Sequence, residues 1–123
     1  MPQIRIQVTI IGTAATFVLA GVIAYFAFST WSSALLRGSD KLLHFLAFLG
    51  LAVPLSFARP KHAYRVALCV IFYGGFIEVI QSTIGRDASW ADLFADAAGA
   101  LVGAAIGGWL GHLPVTTRDG SVR

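Results

Sequence analysis

WADLFADAAGALVGAAIGGWLGHL, residues Trp90 to Leu113, is the stretch whose reading decides the fold. Between Asp96 and His112 it carries no ionisable side chain. At 1.5 Å per residue a run of this length covers the roughly 30 Å hydrocarbon core of a bilayer as a helix. Gly99, Gly103, Gly107 and Gly111 recur every four residues and share one helix face. Such a flat face lets a neighbouring helix, or a second copy of the chain, approach closely.

Working outward from that stretch, three more apolar runs precede it. The first is Val8 to about Phe28, free of charge and of spanning length. It exceeds the 7–15 residues typical of a secretory apolar region and lacks a clean cleavage site, so it is expected to be retained as a helix. The second runs from about Leu42 to Ala58 and ends before Arg59, Pro60 and Lys61; the third runs from about Val66 to Ile84. Pro54 lies inside the second and reads as a kink. The 123 residues are 57% hydrophobic and 12% charged, with a mean hydropathy of +0.77. A soluble domain would carry about 25% charged residues. The expectation is an all-α membrane protein, a compact bundle of four transmembrane helices in one domain over residues 1–123. The net charge of +3 does not point to nucleic acid, because the basic residues lie in short flanks that orient helices. Cys69, the single cysteine, permits no internal disulfide and reads as a packing residue.

Four spans put both termini on one side. That side holds Arg5, Arg59, Lys61, Arg65, Arg118 and Arg123; the other holds Arg37, Lys41 and Arg86. The excess predicts cytoplasmic termini, with Trp31 and Trp90 at the outer interface and Tyr64 and Trp109 at the inner one. Asp40, Lys41, His44, Glu78, Gln81, Arg86, Asp92 and Asp96 then all belong to the outer leaflet or the loop above it. An ionisable group inside a bilayer costs about 2.5–3.5 kcal/mol on insertion scales and is by default a candidate for function.

Each of these residues has a plainer reading. Asp40 and His44 are i,i+4, an acid–imidazole pair, yet Asp40 beside Ser39 also suits a helix start. Glu78 and Gln81 are i,i+3 behind the Gly74–Gly75 pair; they suit acid–base work or a clamp between helices. Arg86 would hold phosphate or carboxylate, or remain a solvated interfacial residue. Ser89 to Asp92 fits a capping box, whereas Asp96, one turn deeper, has no such role.

The sequences DKLLHF at Asp40 to Phe45, EVIQ at Glu78 to Gln81, Arg86, and DLFADAAGALVG at Asp92 to Gly103 together resemble the VanZ-like family of small bacterial membrane proteins. The resemblance covers roughly residues 39–107. Asp96 departs from it, since many members carry asparagine there. The family is associated with low-level resistance to the glycopeptide teicoplanin. The resemblance therefore implies a role in the cell envelope, at the outer face of the cytoplasmic membrane, without supplying a reaction.

Several functions compete. One is binding or handling an envelope lipid or lipid-linked precursor, with Lys41, His44 and Arg86 receiving phosphate and Glu78 handling a proton. A second is a metal-dependent intramembrane hydrolase or transferase, for which Asp40, His44, Glu78, Asp92 and Asp96 offer donors suited to a hard divalent ion. No recognised metal motif is present, and no cofactor is expected. A proton-coupled exporter fits poorly, because the inner half of the spans is apolar. The last is a structural subunit with no chemistry of its own, joined to a partner or to another copy through the glycine face.

Overall fold

The computed structural model describes residues 2–28, 40–84 and 90–113. Its helices are α1 (Pro2–Phe28), α2 (Asp40–Ala58), α3 (Ala63–Thr83) and α4 (Trp90–His112), with a 3-10 turn at Pro60–His62 between α2 and α3. All four are long and apolar enough to cross a membrane, and no strand occurs among the described residues. They form a compact bundle in which successive helices run in opposite directions, as expected from the sequence.

The helix ends differ from the hydropathy boundaries. α1 begins at Pro2 rather than Val8, and α3 at Ala63 rather than Val66. Hydropathy marks where hydrocarbon begins, whereas backbone hydrogen bonding continues into the polar interface. Pro2, whose missing N–H is tolerated in a first turn, suits a helix start. The same property places Pro60 at the head of the 3-10 turn. Pro54 lies inside α2 without ending it.

α2 and α4 pack most extensively, and the glycines of α4 are the reason. A Cβ on Gly99 would collide with the carbonyl of Phe45, one on Gly103 with that of Leu49, and one on Gly111 with that of Phe57. At Gly107 it would lie 2.6 Å from the Val53 carbonyl oxygen. Backbone therefore rests on backbone along the whole seam. Lipid tails are as apolar as leucine, so such contacts, rather than water exclusion, hold the helices together. The glycine face is thus filled by α2 within one chain. A second copy would reach it only by displacing that helix.

α3 covers the pair through a stripe of Val66, Ala67, Val70, Gly74, Ile77, Glu78 and Gln81 at helical spacing. Phe48, Leu51, Ala52, Ala100 and Ala104 complete the core. α1 is peripheral. Phe17, Val18 and Tyr25 stay exposed on it, facing lipid. Close backbone approach occurs at Gly12, whose added Cβ would lie 2.9 Å from the Pro54 carbonyl oxygen. Elsewhere α1 is tied by side chains of α3: the Tyr73 hydroxyl donates to the Ala20 carbonyl, and Gln81 Nε2 donates to the Ala27 carbonyl at 3.0 Å. Trp90, Trp109 and Tyr64 are exposed near helix ends, as an aromatic belt requires. Trp31 lies outside the described residues.

Candidate functional site: a buried acid–imidazole cluster

The α2–α4 seam carries the site at one end. On α4, Asp96 precedes Gly99 and Gly103 on the buried face, so the glycines that bring the backbones together also draw Asp96 against α2. On α2, His44 stands one turn before Phe48, which is buried. Its ring meets the carboxyl directly: Nδ1 of His44 and Oδ1 of Asp96 are 2.7 Å apart. An Nδ1–H donating to that carboxylate leaves Nε2 as the free face of the ring. Asp96 is fully buried, while the His44 side chain retains 23% exposure and reaches the surface of the bundle.

α3 supplies the third member. Glu78 is buried, and His44, Glu78 and Asp96 each place a ligand-capable atom within 4.8 Å of the others'. Gly74, one turn before Glu78, makes the approach possible. A Cβ there would lie 3.1 Å from Asp96 Oδ2 and 3.1 Å from Phe48 Cε1. The space left by the missing Gly74 side chain is thus taken by Asp96 itself. Oδ2 of Asp96 makes no hydrogen bond among the described residues. Two carboxyls and one imidazole thus meet inside the bundle, where a charged group is stable only with a partner. With two carboxyls and an Asp96 Oδ2 that accepts no hydrogen bond among the described residues, the cluster's chemistry suits a proton, a cation or a donor-rich group rather than a bare anion.

The other candidates fall elsewhere. Gln81 is buried but turns its amide to α1, which makes it a clamp between helices. Lys41 is exposed at the start of α2, and Asp92 is half-buried in the first turn of α4, the place its capping reading gave it. Asp40 opens α2, but its side chain lies outside the described residues, as does Arg86 altogether. Of the three cations expected to receive phosphate, then, His44 is committed to Asp96, and Lys41 is left at the rim. Tyr73 was not singled out in the sequence. Its signal was available, since a phenol in mid-membrane must find an acceptor.

Fold and cluster together define a class: a multi-pass α-helical membrane protein with a histidine and two carboxyls buried between three of its helices. The chain belongs to the VanZ/LLP1 family, whose sequence model matches residues 2–111 and so takes in α1 as well as the motif-bearing helices. Comparison with curated proteins finds no match, and comparison with solved structures finds none either.

Proposed function

We propose that this VanZ-like protein binds or handles an envelope lipid or lipid-linked precursor at the outer face of the cytoplasmic membrane. The observation that carries this reading is the His44–Asp96 contact with Glu78 beside it, near the membrane-surface end of α2, α3 and α4. His44 is four residues into α2, about 6 Å below its start, the depth of a lipid headgroup and its first carbons. Two carboxyls beside one part-exposed imidazole suit the hydroxyl or amine donors of a headgroup. Lys41 at the rim suits its phosphate. Both termini are cytoplasmic in this reading, following the distribution of basic flanks. Tolerance of teicoplanin would follow if the bound molecule were the drug's lipid-linked target or a lipid governing access to it.

Native mass spectrometry of the purified protein tests this. Wild-type protein retains bound lipid, and Glu78→Gln and His44→Gln each hold one lipid fewer than wild type while remaining folded by thermal unfolding. Adducts at wild-type level in both folded variants would overturn the reading. They would leave a structural subunit, with the polar groups serving only to join helices.

A second reading is favoured by one observation. His44, Glu78 and Asp96 have donor types and spacing that suit a divalent ion, one imidazole and two carboxylates being a set that zinc or manganese accepts. Such an ion would supply a Lewis acid for hydrolysis or group transfer. Stoichiometric metal in the same sample, lost in Glu78→Gln, would favour it over a metal-free lipid site.

A further inference from the structure

At the end of the bundle opposite His44 and Asp96 lies a cleft of about 430 Å³, walled by the start of α1, the 3-10 turn after α2, and the end of α4. Arg5, Arg59, Lys61, His62 and His112 line it, and no carboxylate does among the described residues. The charge asymmetry of the chain is sharp. Among the described residues the acidic ones, Asp40, Glu78, Asp92 and Asp96, are on the helix portions toward the other end, and Asp87 and Asp119 lie outside the described residues. None of Arg5, Arg59 and Lys61 forms an ion pair among the described residues. The remaining lining is largely apolar, with Phe57 as its largest side chain.

Flanking cations that merely orient helices need no shared cleft and no fixed geometry. Here Arg59 and Lys61 bracket Pro60 on a pinned turn. The Arg59 N–H donates to the Leu55 carbonyl at 2.8 Å, and the His62 N–H to the Arg59 carbonyl at 2.9 Å. Arg65 provides the contrast. Its Nε donates to the Tyr64 hydroxyl at 3.0 Å, its guanidinium lies 5.6 Å from the Tyr64 ring centroid, and it does not line the cleft.

We propose that this cleft binds a phosphate group, that of an anionic phospholipid in the leaflet at that end. Basic pockets between transmembrane helices are suited to such headgroups. The cleft opens where α1, α2 and α4 reach the membrane surface, so a lipid phosphate is already at the right depth. Its cations would take the phosphate oxygens, and its apolar wall would take the glycerol and first acyl carbons, which free phosphate lacks. Fifteen positions of helix and turn separate Arg59 from His44, about 22 Å at helical rise, so this site is independent of the acid–imidazole cluster.

Binding is read on the full chain in detergent by native mass spectrometry with phosphatidylglycerol, phosphatidylcholine or inorganic phosphate. Phosphatidylglycerol should bind in preference to phosphatidylcholine, and inorganic phosphate should not displace it. Arg59→Gln with Lys61→Gln should weaken phosphatidylglycerol binding about 30-fold, and Arg5→Gln alone about fivefold. Arg65→Gln should stay near the wild-type level. Arg5→Gln keeps the test decisive if the double variant fails to fold, and Glu78→Gln should leave this binding intact whatever it does at the other end. Equal binding of the two lipids, or an equal loss in Arg65→Gln, would overturn the proposal. Displacement by inorganic phosphate would overturn the lipid as occupant and assign the cleft to a soluble phosphate compound.

Discussion

The α2–α4 seam and the attachment of α1 join helices by different means. Along the seam, four glycines let backbone meet backbone, and the polar site is set at its end. α1 approaches α2 closely at Gly12 and otherwise depends on Tyr73 and Gln81 reaching across to its carbonyls. The seam tolerates no added atom, because what each glycine faces is backbone that cannot rotate away. The α1 contact is a few discrete bonds whose individual worth in a membrane is small. Positional accuracy at the site should therefore come from the seam, with α1 acting as a cover.

Three substitutions grade that difference. Gly103→Leu would put a branched side chain where even a Cβ collides with the Leu49 backbone. Overpacking of this kind costs about 3 kcal/mol or more when backbone must move, so little folded protein should accumulate in membranes. Normal accumulation would show that the seam is looser than its geometry. Gln81→Leu removes one interhelical hydrogen bond and should lower unfolding stability by about 1 kcal/mol, with the lipid adduct retained. Loss of the adduct in a folded Gln81→Leu protein would instead move Gln81 from clamp to site. The smallest effect belongs to Gly21→Ala on α1, where an added Cβ meets nothing within 4 Å. Stability there should change by no more than about 1 kcal/mol, in the stabilising direction that helix propensity gives alanine.

The same contrast explains what could be read in advance. The four spans were legible because each is a long apolar run, and the seam because its glycines recur on one face. Sequence periodicity left open whether that face met a helix of the same chain or another copy, since both need the same small residues. The shared level of His44, Glu78 and Asp96 followed from counting residues along spans that alternate in direction. Their contact did not, because depth fixes height and leaves rotation about each helix axis free. Gln81 shows the consequence: three residues from Glu78 and buried beside it, it points to α1 instead. The basic cleft was hidden differently. Arg5, Arg59 and Lys61 were legible as orienting flanks, whereas their convergence with His62 and His112 depends on how three helix ends meet.

The central claim is that the seam brings His44 and Asp96 into direct contact in the folded protein, and a double-mutant cycle measures it. His44→Ala, Asp96→Ala and the double variant would be unfolded in the same detergent and compared with wild type. Losing His44 strands a buried carboxyl, and losing both partners removes that penalty. The double variant should therefore cost less than the sum of the single changes, by about 1 kcal/mol or more. Additivity within about 0.5 kcal/mol would mean that the two side chains do not meet, and would contradict the site.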